Sequence, residues 1–247
     1  MKQELQKAML IGMYLSKYDK QALEILGFES FVEAYNTIGL AIKAKPLSIR
    51  NYRDEFDPVF PNERKGWHKR PMFQTRVEML NKYKDLNIET FTDLVKNIIY
   101  QNPAVNLIEE KVESEEDKSR TFAKRLITGQ AAEQYFRDNY QSVPAFNGLA
   151  FEETTKFGCG FDFRVLYDTG FYAVEVKGLE KDKGAIGLTD KEYKTAFYLK
   201  ENYFVFLVKN FIETPVHALF KNPIFSRELD FVKNERTVKQ VSWNASV

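Results

Sequence analysis

Apolar residues recur at spacings of three and four through QKAMLIGMYLSKY (6–18) and FVEAYNTIGLAIK (31–43), which predicts two helices separated at Gly27. The same period returns in QTRVEMLNKYKDL (74–86) and in FTDLVKNIIYQN (91–102). The latter helix is expected to start from an N-cap at Asn87 or Thr90 and to stop before Pro103. Between these helical stretches lies KAKPLSIRNYRDEFDPVFPNERKGWHKRP (43–71), with four prolines and no clear period, which predicts an irregular connection.

The pattern changes in the second half of the chain. EEKVESEEDKSR (109–120) is polar throughout and suits a linker or an exposed helix start. TFAKRLITGQAAEQYFRDNY (121–140) is helical, and LAFEETT (149–155), FDFRVLY (161–167) and FYAVEVKG (171–178) read as strands. A helix, DKEYKTAFYLKEN (190–202), and a strand, YFVFLVKNF (203–211), follow. The expected organisation is an all-helical domain (1–110), a charged linker (111–120) and an α/β domain (121–247) whose mixed sheet is flanked by helices.

Composition narrows the function classes. The 247 residues are 44% hydrophobic and 15% aromatic, enough for a sizeable core, and the net charge of +1 announces no polyanionic partner. A single cysteine, Cys159, excludes an internal disulfide and a multi-cysteine zinc site, and its place between glycines suggests a small packed residue rather than a nucleophile. Two histidines and the absence of a GxxxxGK[ST] stretch make zinc hydrolysis and P-loop chemistry poor fits. No signal peptide and no apolar run of membrane-spanning length is present, so a cytoplasmic location and no membrane partner are expected.

Candidate chemistry centres on FYAVEVKG. Side chains alternate faces along a strand, so Glu175 and Lys177 share one side while Val174 and Val176 take the other. Alone, this pair is equally well explained as a solvated sheet face. Upstream, Asp168-Thr169-Gly170 is a hairpin turn joining two strands. A two-residue loop of Asp168 and Thr169 sets Asp162 opposite Glu175, whereas a three-residue loop turns Asp162 to the other face unless a bulge at Gly158 or Gly160 restores it. Two carboxylates and a lysine within reach of one another suit metal-dependent hydrolysis: acid oxygens hold Mg²⁺, and the lysine orients or polarises the nucleophile.

Asp162 followed by Glu175-Val176-Lys177 resembles the D…ExK signature of the PD-(D/E)XK nuclease superfamily. GQAAEQYF, GCGFDFRV, FYAVEVKG and GAIGLTDKEYKTAFYLKENYFVFLV, in order over residues 129–208, look like successive blocks of its DUF3883 branch. Phe161 stands where the superfamily pattern has proline. The resemblance implies a restriction-endonuclease-like fold, metal ligation by Asp162 and Glu175, a catalytic Lys177 and a further acid at Glu133 on the preceding helix. Thr189 and Glu192 also lie in a family block, but their spacing reads as an ordinary capping box.

The expected activity is therefore Mg²⁺-dependent hydrolysis of double-stranded DNA, with Mn²⁺ able to substitute, in a sequence-specific restriction-type endonuclease. A homodimer cutting palindromic duplex would mark that type. Cleavage of branched DNA would mark a repair or junction nuclease, and a non-catalytic nucleic-acid or protein-binding module is the alternative from another class. From Lys43 to Lys84 there are eleven Lys and Arg against five Asp and Glu. Within this patch Arg64, Lys65, Trp67, His68, Lys69 and Arg70 are the candidate DNA contacts, through phosphate neutralisation and base stacking. The competing reading is a surface loop whose Trp67 packs on the helices.

Overall fold

The computed structural model describes residues 3–67, 69–100 and 116–234. Helices α1 (Gln3–Leu26), α2 (Phe31–Ala41), α3 (Pro46–Phe56), α4 (Gln74–Tyr83) and α5 (Ile88–Ile99) precede α6 (Glu116–Asn139). Strands β1 (Ala150–Glu153), β2 (Phe163–Tyr167) and β3 (Gly170–Leu179) follow, then α7 (Asp190–Leu199), β4 (Tyr203–Lys209) and β5 (Val216–Lys221).

The helical periods of the first half are realised, with one addition. Helix α3 occupies part of the stretch expected to be irregular. Pro46 enters at its first turn, where the missing N–H costs nothing, and Ile49, Tyr52 and Phe56 recur at helical spacing and are buried. The prolines and charges around this short period hide it in the sequence. Helix α3 lies close against α1: a Cβ on Gly12 would stand 2.7 Å from the Tyr52 Cβ, so only glycine permits the crossing. Helix α1 kinks at Asp19, whose φ is 48°. Helix α5 is capped by Asn87, whose side chain accepts the Thr90 N–H at 2.9 Å. The expected chain end of this helix beyond residue 100 and most of the charged run lie outside the described residues, but α6 already begins at Glu116, within the stretch read as a linker.

The sheet is mixed and runs in the order β1-β2-β3-β4-β5. Its β1/β2, β2/β3 and β4/β5 pairs are antiparallel, and β3/β4 is parallel, with α7 in the connection. Strand β5 went unforeseen in the sequence because VHALFK is short and lacks a clean alternation; most of its residues are half-buried at the sheet edge.

Phe163, Val165, Val174, Val176, Phe204 and Phe206 build one apolar layer with Ala131, Ala132 and Phe136 of α6. That layer continues into the core of the N-terminal helices, so α6 packs between α2 and the sheet. Polar ties accompany it. The Asn36 amide donates to the carbonyls of Phe211 and Glu213 at 2.8 Å each. Lys124 on α6 bridges Glu33 of α2 at 3.0 Å and Glu180 at 2.8 Å. The opposite sheet face carries Phe161, Ala173, Tyr203 and Val205, packed with Ala196 of α7.

Candidate active site

The site is assembled by the β2/β3 hairpin. Tyr167 pairs with Gly170, so the loop is the two residues Asp168 and Thr169, and Phe163 pairs with Val174. Extending that register by one residue sets Asp162 opposite Glu175. Asp162 is fixed there from both sides: its N–H donates to the Val174 carbonyl at 3.0 Å, and its own carbonyl accepts the Thr154 N–H at 2.7 Å. Its Oδ2 accepts the Val176 N–H at 2.9 Å. Tyr203, wholly buried, donates its hydroxyl to the Gly160 carbonyl at 2.9 Å and so pins the loop that delivers Asp162.

Glu175 is only 4% exposed, on the face that α7 covers. Lys177 extends alongside it, with Nζ 2.6 Å from Glu175 Oε1 and 2.8 Å from Glu192 Oε2. Glu192 also accepts the Thr189 N–H at 2.9 Å while Thr189 Oγ1 accepts the Glu192 N–H, so the expected capping box is present. The sequence reading stopped at that role. One carboxylate both starts α7 and holds the lysine, and the second role depends on α7 folding back over β3. Its presence in a family block was the available signal.

Three carboxylates thus surround a single ammonium. Burial pushes the Glu175 carboxyl up to about 8, with Asp162 adding to the shift and Lys177 opposing it. Burial likewise raises Asp162 to about 6 against the hydrogen bond from Val176, with Glu133 adding a further repulsion. Burial works against the Lys177 charge, but Glu175 and Glu192 outweigh it and keep the amine protonated. Glu192 is lowered, since its bonds to Lys177 overcome its own desolvation.

Glu133 approaches Asp162 from a different element, and its charge weighs on Asp162 more than that of Lys177 does. It projects from α6, which packs on the Val174 and Val176 face, and its Oε2 pairs with Arg137 at 3.1 Å. Arg137 in turn reaches Glu153 at 2.7 Å. Glu133 therefore acts on Asp162 through its charge, while its hydrogen-bonding partner is the arginine. Among the described residues no group of three or more His, Cys, Asp or Glu is spaced to hold a metal ion.

The basic stretch is divided. Arg64 is committed inside the fold: its guanidinium bonds both Asp57 oxygens at 2.9 Å and also pairs with Asp19 at the α1 kink. Its charge is thereby already balanced within the fold, while its side chain stays 23% exposed. Lys65, Lys69 and Arg70 are exposed. Trp67 is half-buried, with the Arg70 guanidinium 3.8 Å from its ring centroid and its N–H donated to the Asp54 carbonyl. His68 lies outside the described residues. Cys159 is free and partly exposed rather than fully packed.

A hairpin that presents two acids and a lysine on one face of a mixed sheet, backed by a long helix, defines the class of site. Comparison with known families agrees in extent: the model of the C-terminal domain of protein NO VEIN matches residues 132–220, a span that contains Glu133, Asp162, Glu175, Lys177 and Glu192 and excludes the 64–70 stretch. No curated protein and no solved structure matches the chain. Among the described residues, no helix is long and apolar enough to cross a membrane.

The raised carboxyls carry a consequence for stability. In the unfolded chain both acids ionise near the ordinary carboxylate range, so the unfolded state sheds its protons first and the folded state becomes less favoured as pH rises. With divalent ions chelated, stability should fall as pH rises from about 4 to about 8, because both acids ionise in the unfolded chain before they do in the fold. Urea melts across this range should show the decline in the wild type and a flatter profile in Glu175→Gln. Equal slopes for the two proteins would mean that Glu175 folds already ionised.

Proposed function

We propose that this site hydrolyses phosphodiester bonds in double-stranded DNA with Mg²⁺ as cofactor, in an endonuclease of restriction type. The observation that carries the reading is the convergence of Asp162, Glu175 and Lys177 at a buried point where negative charge exceeds positive. Such a cluster raises its own carboxyl pKa values and is costly to fold, which a cation between Asp162 and Glu175 would relieve. The donor set suits Mg²⁺, which takes one or two carboxylates and keeps several waters, so the lack of a third spaced ligand is no obstacle. Zinc, with its three or four N or S ligands, does not fit.

When bound, the ion supplies an activated water and neutralises charge on the scissile phosphate. The protein's own groups do the rest. Asp162 and Glu175 fix the ligand positions, because their backbones are locked in the hairpin ladder. Lys177, kept protonated by its two carboxylates, offers a cation to the phosphate or to the attacking water. Glu192 is a positioning residue, since it holds the Lys177 amine at 2.8 Å and bonds the Glu175 carboxyl.

The direct test is incubation of the protein with a large unmethylated DNA and Mg²⁺. Discrete fragments that disappear with EDTA are the expected result, whereas intact DNA at high protein concentration with Mg²⁺ or Mn²⁺ would overturn the reading. Products from branched but not linear DNA would replace restriction with junction cleavage.

A further inference from the structure

A cavity of about 620 Å³ opens beside Lys177, between α6 and the chain that runs on from β3. One wall is the end of β3, from Val176 to Leu179, and the other is the α6 turn holding Arg125, Thr128 and Gly129. Its charged lining is Arg125, Lys177, Lys181 and Lys183 against one acid, Glu180. Glu180 is neutralised by Lys124 at 2.8 Å, and Lys181 reaches Glu29 at 3.1 Å. Arg125 and Lys183 are exposed and form no ion pair among the described residues.

The lining also contains an unusual absence. Gly129 lies inside the 24-residue helix α6, where glycine costs about 1 kcal/mol relative to alanine. A packing neighbour commonly explains such a residue, but among the described residues a Cβ at Gly129 would meet nothing within 4 Å. Gly178 opposite has an ordinary packing reason, because a Cβ there would press on Thr128 at 2.9 Å. What the missing side chain at 129 provides is free space at the cavity wall.

We propose that this cavity is a groove for the phosphodiester backbone of the nucleic-acid strand flanking the scissile phosphate, gripped by Arg125 and Lys183 and kept open by Gly129. The assignment rests on the reading of the neighbouring site as a nuclease. Continuity supports it: Lys177 lines the groove and its amine contacts Glu175 at 2.6 Å, so a strand in the groove passes beside the acidic cluster, although none of the site carboxylates lines the groove itself. The charge also changes sign along the path, from the acidic cluster to a basic wall, as a polyanion that must meet a cation at one point requires.

The test is fluorescence anisotropy with a labelled DNA duplex and Ca²⁺ in place of Mg²⁺, so that binding is read without turnover. Gly129→Gln should fold at least as well as the wild type by thermal melting, since helix propensity improves and no atom is displaced, yet bind about tenfold or more weakly because its side chain occupies the groove. Arg125→Ala/Lys183→Ala should reduce the slope of log affinity against log salt by about 1.8, from roughly 0.9 per lost phosphate contact. Both residues are exposed, which keeps this arm readable if the helix variant loses stability. Unchanged affinity and slope in these variants, or no duplex binding by the wild type, would overturn the groove. Parallel digests with Mg²⁺ separate the two readings. Groove-dependent binding without cleavage sinks the nuclease and keeps the groove, and cleavage indifferent to all three substitutions does the reverse.

Discussion

Asp162→Asn, Glu175→Gln and Lys177→Met should each reduce Mg²⁺-dependent cleavage by roughly 10³-fold; the two amide variants should leave duplex binding nearly unchanged, whereas Lys177→Met, which also removes a cation from the groove, should weaken it. The reasoning is geometric. Asp162 and Glu175 stand opposite each other across a ladder fixed by a two-residue turn, so neither can be replaced by a neighbour, and among the described residues Lys177 is the one ammonium in contact with Glu175. The amide variants keep shape and remove charge, which separates loss of ligation from loss of packing. They should also melt at a higher temperature in EDTA at pH 8, because each relieves repulsion between buried acids. Glu192→Gln should behave differently. It removes one of the two negative charges paired with Lys177 while leaving an amide oxygen to accept its bond, so the loss should be about tenfold and accompanied by a shift in the pH profile of cleavage, the signature of a positioning residue. Cleavage at wild-type rates in Asp162→Asn and Glu175→Gln would place the chemistry elsewhere.

Arg64→Ala should cost about 2–4 kcal/mol of stability, more than any other substitution in the basic stretch. Asp57, whose side chain is 1% exposed, accepts two bonds from Arg64 and one from Ser16 at 2.7 Å. Removing the guanidinium leaves that buried carboxylate with Ser16 and a longer contact to Arg53 at 3.8 Å, and takes from Asp19 its ion pair at the α1 kink, where φ is already positive. The neighbouring Lys65→Ala and Lys69→Ala, both at exposed positions, should change stability by less than about 0.5 kcal/mol. Urea unfolding of the three variants at matched pH is the measurement. A stability loss for Arg64→Ala no larger than for the two lysines would return Arg64 to the category of a solvent-facing cation available to a partner.

These two sets of residues illustrate how differently a sequence reports on function. The hairpin was legible because its information is local. Alternation along FYAVEVKG assigns the faces, and the Asp168-Thr169 turn sets the register, so the relation of Asp162 to Glu175 needed only the loop length, which the structure fixes at two residues. The basic run around Arg64 was misleading because composition records charge without its partners. Asp57 lies seven residues away and Asp19 forty-five, and only the packing of α3 against the α1 kink brings them to the guanidinium.

By itself the sequence determined the local period of most elements, the capping box at Thr189, and the face shared by Glu175 and Lys177, because these follow from backbone geometry over a few residues; the structure chose Asn87 over Thr90 as the α5 cap and set Asp162 on that same face. Helix α3 and strand β5 escaped it, since in short segments the burial of a few side chains against distant elements outweighs a weak local pattern. Tertiary structure alone decided that Glu192 holds the lysine, that Glu133 is paired with Arg137, that Arg64 is paired with Asp57 and Asp19, and that a basic groove opens where Gly129 leaves space. Each of these depends on which surfaces meet when α6 and α7 close on opposite faces of one sheet, and such long-range pairings are set by the free energy of the whole packed chain rather than by any window of it.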